Sequence, residues 1–320
     1  MLPHFHILGF GLPTYSVMLA LGVAAFLILY ALAYRQEYKT DRITFNRLTF
    51  AVLLSIVALA VFAFLFDSLF HSLKEGRLTL GGITWLGGVT GAFPAILLLC
   101  HLLVPKKRGY ALDVLDSLVP GLALAHALGR VGCFLGGCCF GRVTTSPLGV
   151  VFPEGSLAER LYPDPLAEGS LPVLPTQLLE AGLELLLFAV LILLSRRTRR
   201  YNTAIWAISY AVCRFVLEFF RGDDRGSSAL SISPAQVLSI LLLLFGILVL
   251  LLRLGIAPKR LTARLAAWQS EADALPVTPY ATAAVKEHAS RLRALHQLRK
   301  EGLITEEEYE TKKKEILERL

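Results

Sequence analysis

Residues 126–141, HALGRVGCFLGGCCFG, decide the fold of this chain, because they place a charged side chain, Arg130, inside an apolar and glycine-rich segment. The rest of the chain is also apolar: 55% of its residues are hydrophobic and its mean hydropathy is +0.59. Such a composition, with several long apolar runs, is typical of an integral membrane protein and excludes the soluble enzyme classes. An arginine at bilayer depth costs roughly 3 kcal/mol or more, so Arg130 is a candidate functional residue.

The distribution of apolar residues predicts an all-α polytopic membrane protein with seven transmembrane helices. The predicted spans are residues 13–34, 48–70, 81–104, 113–135, 176–195, 203–220 and 234–254. The fourth span contains Asp113, Asp116 and Pro120, and a re-entrant loop is the alternative for it. A full crossing is favoured, because a re-entrant loop would move the basic residues 195–200 to the outer side. We expect no secretory signal peptide, since residues 1–12 have neither a basic region nor a small-residue cleavage site.

The net charge of +7 comes from short basic clusters beside the apolar runs. These clusters follow the first, third, fifth and seventh spans, at residues 35–47, 106–108, 196–200 and 259–264. By the positive-inside rule, the N-terminus is outside and the C-terminus is cytoplasmic. Because the clusters are topology signals, the sequence predicts no nucleic-acid binding.

The chain divides into a membrane domain (residues 1–255), a polar linker (residues 256–285) and a helical hairpin (residues 286–320). Within the membrane domain, the connection of residues 136–175 contains six prolines and is predicted to form an ordered extracytoplasmic cap. Its candidate anchors are Val150, Val151, Phe152 and Leu161.

Local signals define the C-terminal hairpin. Gly302 suits the end of the first helix, and Thr305 with Glu308 predicts a capping box for the second, which Ile304 and Tyr309 can staple. The predicted apolar stripe comprises Leu292, Leu295, Leu298, Ile316, Leu317 and Leu320. The stretch LRKEGLITEEEYETKKKEIL resembles the short C-terminal module called SHOCT. A module of this size rarely folds alone, so we expect self-association or docking on a partner.

The polar residues of the predicted spans fall at one level, the outer leaflet. They are Tyr15, Trp85, Arg130, Gln177, Glu180, Arg214, Glu218, Arg221 and Gln236. This convergence predicts a site at the outer ends of the helices. Tyrosine, tryptophan and glutamine are also common at membrane interfaces without any function, which is the alternative for those residues.

Arg214, Glu218 and Arg221 have the spacing i, i+4, i+7 and are predicted to share one helical face. One interpretation is an intramembrane ion pair that serves packing. The other is a site for an anionic ligand such as a phosphate, because with Arg130 the cations exceed the carboxylate of this helix. Glu180 could neutralise part of that excess.

Six motifs, in this order along the chain, resemble the bacterial prolipoprotein diacylglyceryl transferase family. They are GGITWLGGVTG at 81–91, GRVGCFLGGCCFG at 129–141, TTSPLGVVFP at 144–153, PTQLLEA at 175–181, RFVLEFFR at 214–221 and SPAQVLS at 233–239. The resemblance implies a multi-pass enzyme of the bacterial plasma membrane without a cofactor. The implied reaction transfers the diacylglyceryl group of phosphatidylglycerol to the lipobox cysteine of a prolipoprotein, giving a thioether and glycerol phosphate.

The resemblance assigns roles residue by residue. Arg130, Arg214 and Tyr15 match the arginines and the first-helix tyrosine of the family motifs, and with His126 they are the candidate catalytic residues. The candidate substrate-binding residues are Gly141, Gln177, Glu180, Glu218, Arg221 and Gln236.

The chain departs from the family pattern at positions that bear on proton transfer. Cys133 and Cys138 replace an asparagine and a glutamate, and Leu86 and Leu174 replace histidines. His126, four residues before Arg130, is a candidate replacement base, although an intramembrane histidine also serves as a hydrogen-bond partner between helices. Two function classes therefore stay open: an active transferase, and a divergent paralogue that keeps a phospholipid-headgroup site but performs other lipid or thiol chemistry or only binds.

A metal site formed by His126 with Cys133, Cys138 and Cys139 is one interpretation of the cysteine cluster, but their spacing matches no zinc pattern, so no metal is predicted. Small residues that let helices pack closely are the plainer interpretation, with Gly132/Gly136 as a small-xxx-small pair.

Overall fold

The computed structural model describes residues 4–7, 10–34, 42–104, 110–193, 199–222, 232–256, 294–299 and 305–318. The chain forms two compact units, residues 1–266 and residues 267–320. Each unit is described by itself.

The larger unit begins with a short β-hairpin that the sequence analysis did not predict. Strands β1 (His4–Ile7) and β2 (Phe10–Pro13) pair antiparallel, with His4 opposite Pro13 and Ile7 opposite Phe10. The hairpin leads directly into the first helix.

Helices occur at all seven predicted span positions, and one more short helix lies in the connection of residues 136–175, which makes eight α-helices in the described part of this unit. They are α1 (Thr14–Tyr34), α2 (Arg42–Glu75), α3 (Trp85–Leu103), α4 (Tyr110–Leu135), α5 (Leu157–Leu161), α6 (Thr176–Leu193), α7 (Asn202–Glu218) and α8 (Pro234–Leu254). Within the described ranges, six helices, α1 to α4, α6 and α8, are long and apolar enough to cross a membrane. The predicted seventh span, α7, is 17 residues long, which is short against the roughly 20 residues that a crossing needs.

The helices pack mainly as the pairs α1 with α4, α2 with α3, α4 with α6 and α7 with α8. Glycine permits a close approach between α1 and α4. A Cβ atom at Gly22 of α1 would lie 2.8 Å from the carbonyl oxygen of Ala125 in α4. The site described below depends on this packing, because α4 carries its central arginine.

The acidic residues of α4 are satisfied by partners at its N-terminal end, which explains how this helix tolerates them. Arg253 Nη2 lies 2.7 Å from Asp113 Oδ1 and also bonds the buried Asp116. The backbone N–H of Thr203 donates to the other Asp116 oxygen at 2.8 Å. The predicted fourth span is therefore one continuous helix of 26 residues through Pro120, not a re-entrant loop.

The connection of residues 136–175 is ordered around a small core of its own, formed by Phe140, Phe152, Ala158 and Val173. Val150 packs partly against this core, and its backbone pairs with that of Val173. Two of the predicted anchors are wrong: Val151 is 53% exposed and Leu161 is 50% exposed. Val151 alternates with the inward-facing Val150 and Phe152, and Leu161 ends the short helix α5 on its solvent side.

The smaller unit contains a helix at residues 294–299 (α9) and a second helix, α10 (Glu306–Glu318). The predicted capping box is confirmed: the backbone N–H of Glu308 donates to Thr305 Oγ1 at 3.3 Å, and that of Thr305 to Glu308 Oε2 at 2.9 Å. Accepting these hydrogen bonds holds the pKa of the exposed Glu308 below its usual value. The guanidinium of Arg299 lies 4.3 Å from the ring centre of Tyr309, which joins the two helices.

Several hairpin predictions fall outside the described residues or side chains. They concern Leu292, Gly302, Ile304, Ile316, Leu317 and Leu320. Of the predicted apolar stripe, Leu295 is buried and Leu298 is 39% exposed.

Candidate active site

Helices α4, α6 and α7 bring ionisable side chains together inside the bundle. His126 and Arg130 lie four residues apart on α4, and Glu180 and Glu184 lie four residues apart on α6, so each pair shares one helical face. Arg214 approaches from α7, and all five side chains are buried. We call these five residues the polar cluster.

Glu180 lies at the centre of the polar cluster. Its Oε2 atom lies 2.7 Å from Arg130 Nη2, and its Oε1 atom lies 3.7 Å from Arg214 Nε. Tyr210 donates a hydrogen bond to the same Oε1 atom at 2.8 Å. One carboxylate therefore holds two guanidinium groups from two different helices.

A second carboxylate, Glu184, was missed by the sequence analysis. Its Oε1 atom lies 2.8 Å from His126 Nδ1, and its Oε2 atom accepts a hydrogen bond from Trp206 Nε1 at 2.9 Å. The available signal was the spacing of Glu180 and Glu184, which matches that of His126 and Arg130. A carboxylate on one imidazole nitrogen fixes the ring orientation and makes the other nitrogen a better base.

Aromatic rings enclose His126. The Trp85 ring stacks on it with centroids 4.2 Å apart and an interplanar angle of 8°. Tyr210 meets it edge-on at 5.3 Å, and Trp206 stacks on Tyr210 at 5.2 Å. These contacts limit the access of water to the histidine and keep its ring in one orientation.

The charges within the site are nearly balanced, which corrects the predicted excess of cations. Arg214 Nη1 pairs with Glu218 Oε2 at 2.7 Å while Arg130 pairs with Glu180. The Nε atom of Arg130 is buried and makes no hydrogen bond within the described part of the chain. Arg130 thus keeps one buried donor after its carboxylate partner is satisfied.

Arg221 lies beyond the end of α7 at Glu218, in a tighter turn in which its N–H donates to the Glu218 carbonyl at 3.2 Å. Its backbone also pairs with that of Gly141, where Arg142 N–H donates to the Phe220 carbonyl at 2.9 Å. The Arg221 side chain is 7% exposed. The predicted last helical turn is therefore a tighter turn that leads into long-range backbone pairing.

Gly141 permits this pairing. Its N–H donates to the Leu174 carbonyl at 2.8 Å, and an added Cβ atom would lie 2.7 Å from the Phe220 carbonyl oxygen. No side chain fits between the two strands of backbone. Gly141 therefore has a structural role, which is to let these two backbone segments approach.

The N-terminus of α6 holds the end of the cysteine-rich stretch. Gln177 Nε2 donates to the Cys138 carbonyl at 2.7 Å, and Thr176 Oγ1 donates to the Cys139 carbonyl at 3.0 Å. Gln177 is fully buried, and its Oε1 atom accepts no hydrogen bond from any residue that the structure describes.

Gln236 and Tyr15 lie in the first turns of α8 and α1. The Gln236 side chain accepts a hydrogen bond from Ser233 N–H at 3.0 Å and completes the capping box of α8. Tyr15 begins α1 against the glycines of α4: a Cβ atom at Gly132 would lie 3.4 Å from Tyr15 Cα. Tyr15 is near enough to Arg130 to interact with it electrostatically.

Three thiols meet beside Arg130, although their spacing in the sequence predicted no such group. The Sγ atoms of Cys133, Cys138 and Cys139 all lie within 4.8 Å of one another, and none of these cysteines forms a disulfide. A hydrogen bond with Cys133 lowers the pKa of Cys138, but Cys139 and burial outweigh it and raise that pKa to about 11. We call these three residues the thiol triad.

An apolar cavity of about 130 Å³ lies among α1, α2, α3 and α4. Its wall includes Trp85 and Ala125, the direct neighbour of His126. The other lining residues are Leu19, Val23, Phe26, Val52, Ser55, Ile56, Leu59, Ala92, Phe93, Ile96, Leu115, Leu118, Val119 and Leu122. This lining suits a hydrocarbon chain, and the cavity ends beside the polar cluster.

Comparisons with known proteins show which families this chain matches. Residues 3–252 match the family model described as prolipoprotein diacylglyceryl transferase, and residues 290–317 match the short C-terminal domain SHOCT. The chain is 31% identical over 254 residues to phosphatidylglycerol–prolipoprotein diacylglyceryl transferase 2 of Clostridium perfringens, covering 76% of this chain and 91% of that relative. It is 30% identical over 250 residues to the corresponding enzyme of Clostridium tetani, covering 77% and 94%.

Proposed function

Because this chain belongs to the prolipoprotein diacylglyceryl transferase family, we propose that its polar cluster transfers the diacylglyceryl group of phosphatidylglycerol to the lipobox cysteine of prolipoproteins. One observation carries the assignment of the site. Two buried arginines from different helices meet at Glu180, and Arg130 keeps a buried donor beside them. The fork of a guanidinium group suits the oxygens of a phosphodiester.

The transfer is a displacement at the glycerol carbon that carries the phosphate. The cysteine sulfur forms a bond to this carbon, the bond between carbon and phosphate oxygen breaks, and glycerol phosphate leaves with the electron pair. Arg130 and Arg214 stabilise the charge that develops on the leaving phosphate. The apolar cavity holds an acyl chain of the phospholipid.

His126 is the candidate base that takes the thiol proton. A thiol has an ordinary pKa near 8.5, so a base or a cationic field is needed to form the thiolate. If Glu184 accepts the Nδ1 proton of His126, the Nε2 atom is left as the proton acceptor, and it faces Glu180 at 3.7 Å. In this proposal, His126 with Glu184 accepts the proton in place of the family histidines, whose positions are occupied by Leu86 and Leu174 in this chain.

The experiment that tests this function is a transfer assay with the purified protein. We expect phosphatidylglycerol and a lipobox peptide to give a peptide whose mass has increased by one diacylglyceryl group, together with glycerol phosphate. Binding of phosphatidylglycerol without any mass increase would favour the divergent paralogue, to which the replacement of family residues by Cys133 and Cys138 points.

We propose that α7 completes seven spans, with the N-terminus outside, and that the site lies in the outer leaflet of the bacterial plasma membrane. A reporter fused after Leu320 should then be cytoplasmic, and a cysteine introduced at the exposed Glu168 should react with an impermeant label in intact cells. Wild-type protein, which has five cysteines of its own, supplies the labelling background. Labelling of the introduced cysteine only after lysis would show the opposite orientation and would contradict a site in the outer leaflet.

We propose that the C-terminal hairpin serves association with a second copy or a partner and takes no part in transfer. No residue assigned to the site lies after Gln236, so deletion of residues 286–320 should leave turnover per folded molecule unchanged. The measurement compares transfer rates of full-length and truncated protein and their masses in detergent. Complete loss of turnover in a folded truncation contradicts this separation, and an unchanged oligomeric mass contradicts self-association.

A further inference from the structure

We infer that the thiol triad binds a zinc ion and that the lipobox thiol completes the coordination as the fourth ligand. This inference rests on the proposed transfer reaction and adds a cofactor to it. Tetrahedral zinc–thiolate sites have Zn–S distances near 2.3 Å, which place the sulfur atoms about 3.8 Å apart. The Sγ atoms of Cys133, Cys138 and Cys139 already lie within 4.8 Å of one another.

The backbone conformation of residues 133–139 directs the side chains of the three cysteines toward one point. Cys138 N–H donates to the Cys133 carbonyl at 3.1 Å, which closes a tight turn at the end of α4. Gly137 and Cys139 in this turn have φ values of +71° and +64°. A left-handed conformation is unfavourable for a cysteine, so the surrounding structure must impose it on Cys139.

The bonds from α6 hold the turn from the other side. Thr176 and Gln177 donate to the carbonyls of Cys139 and Cys138. Partners of this kind fix the orientation of metal ligands, and their loss typically weakens metal binding about 10- to 100-fold. The thiols are therefore held by contacts from two helices rather than by an open loop.

Three protein ligands and an open fourth position characterise catalytic rather than structural zinc sites. Among the histidine, cysteine, aspartate and glutamate residues that the structure describes, the triad is the one group of three with donor atoms this close together. A fourth protein ligand is thus not provided within the described ranges. The substrate of the proposed reaction is itself a thiol and fits that position.

Zinc coordination supplies the activation that the transfer needs. A thiol that bound zinc would be deprotonated outright, and His126, the base of the proposed transfer, would take its proton. The sulfur then attacks the glycerol carbon, the carbon–oxygen bond breaks, and the released glycerol phosphate carries the electron pair. Three protein thiolates with Zn²⁺ have a net charge of −1, and Arg130, which interacts electrostatically with Cys133 and Cys139, offsets it.

Metal binding is tested on full-length protein in detergent, stripped with a chelator and reloaded with zinc or cobalt alone. We expect about one zinc ion per chain and, with Co²⁺, the absorption bands of tetrahedral thiolate coordination. Cys138→Ser and Cys139→Ser should lower the retained zinc on the order of a hundredfold. Cys100→Ser and Cys213→Ser, which alter cysteines elsewhere in the bundle, are the matched controls and should retain zinc as wild type does.

A second measurement needs no variant. Zinc loading of wild-type protein should protect three thiols from alkylation, identified by peptide mass as Cys133, Cys138 and Cys139. Failure of wild-type protein to retain zinc, or equal retention in triad and control variants, overturns the inference.

Transfer assays on stripped and reloaded protein separate this inference from the proposed function. If transfer is lost when the protein is stripped and returns when zinc is added, the result supports both the zinc inference and the proposed function. Full transfer by zinc-free protein overturns the zinc inference and leaves the proposed function standing. If the protein retains zinc but neither the stripped nor the reloaded protein transfers a diacylglyceryl group, the proposed function is overturned. The role of zinc as a cofactor of that reaction is then overturned as well.

Discussion

Replacing Arg130 or Arg214 by lysine is expected to lower turnover about a hundredfold in protein that remains folded. Lysine keeps the positive charge but loses the planar fork that can bind two phosphate oxygens. Loss of one such contact to a developing charge typically costs roughly 3 kcal/mol. The measurement is turnover per folded molecule, alongside thermal stability in detergent.

The matched control is Arg253→Lys. Arg253 is also a largely buried arginine paired with carboxylates, Asp113 and Asp116, but at the opposite end of α4. About 14 to 17 helical residues, or on the order of 20 Å, separate those aspartates from Arg130. Arg253→Lys should lower stability and leave turnover per folded molecule unchanged.

Unchanged turnover in Arg130→Lys and Arg214→Lys would identify Arg130 and Arg214 as packing residues. Arg130 and Arg214 both contact Glu180, so an intramembrane ion network that serves packing is the competing account of these two arginines. In that account Arg130→Lys and Arg214→Lys reduce folding and expression, and the surviving protein turns over normally. Unchanged specific activity in both variants removes the phosphate-binding role.

Replacing Glu180 by glutamine is expected to destabilise the membrane domain by about 3–5 kcal/mol, because removal of one partner leaves buried charge unpaired. Glu180 is 2% exposed, and it contacts Arg130 at 2.7 Å and Arg214 at 3.7 Å. Its loss therefore affects two arginines at once. The measurement is the midpoint of thermal unfolding in detergent.

Glu218→Gln is the comparison for this variant. Glu218 pairs with Arg214 from the same helix, and Arg214 would keep Glu180 as a second carboxylate. The midpoint should fall less than in Glu180→Gln. Equal midpoints for Glu180→Gln and wild type would show that Glu180 is not the counter-ion on which the cluster depends.

The helices were predictable because their signals are local. The predicted spans 13–34 and 234–254 differ from α1 and α8 by at most one residue. The capping box of Thr305 and Glu308 was equally readable, since its partners lie three residues apart. Length and hydrophobicity determine a helix in a bilayer with little contribution from distant residues.

Glu184 shows why the site was only partly predictable. In the sequence it lies in an apolar run, and its partner His126 is 58 residues away. The excess of cations was inferred for the same reason: span by span, the arginines outnumber the carboxylates, but the pairing of Arg130 with Glu180 joins α4 to α6. Charge balance in a bundle depends on contacts between helices.

The sequence by itself determined the membrane class, the positions of the helices and the family motifs, because hydrophobicity, caps and motif residues act over a few neighbouring positions. Only the tertiary structure decided the end of α7 and the assembly of the thiol triad. Residues 219–221 leave the helix as a tighter turn, and the backbone of Arg221 pairs with that of Gly141. The contacts of α6 with the turn after α4 hold Cys138 and Cys139 against Cys133. Both outcomes depend on residues that are distant in sequence and become neighbours only when the helices pack.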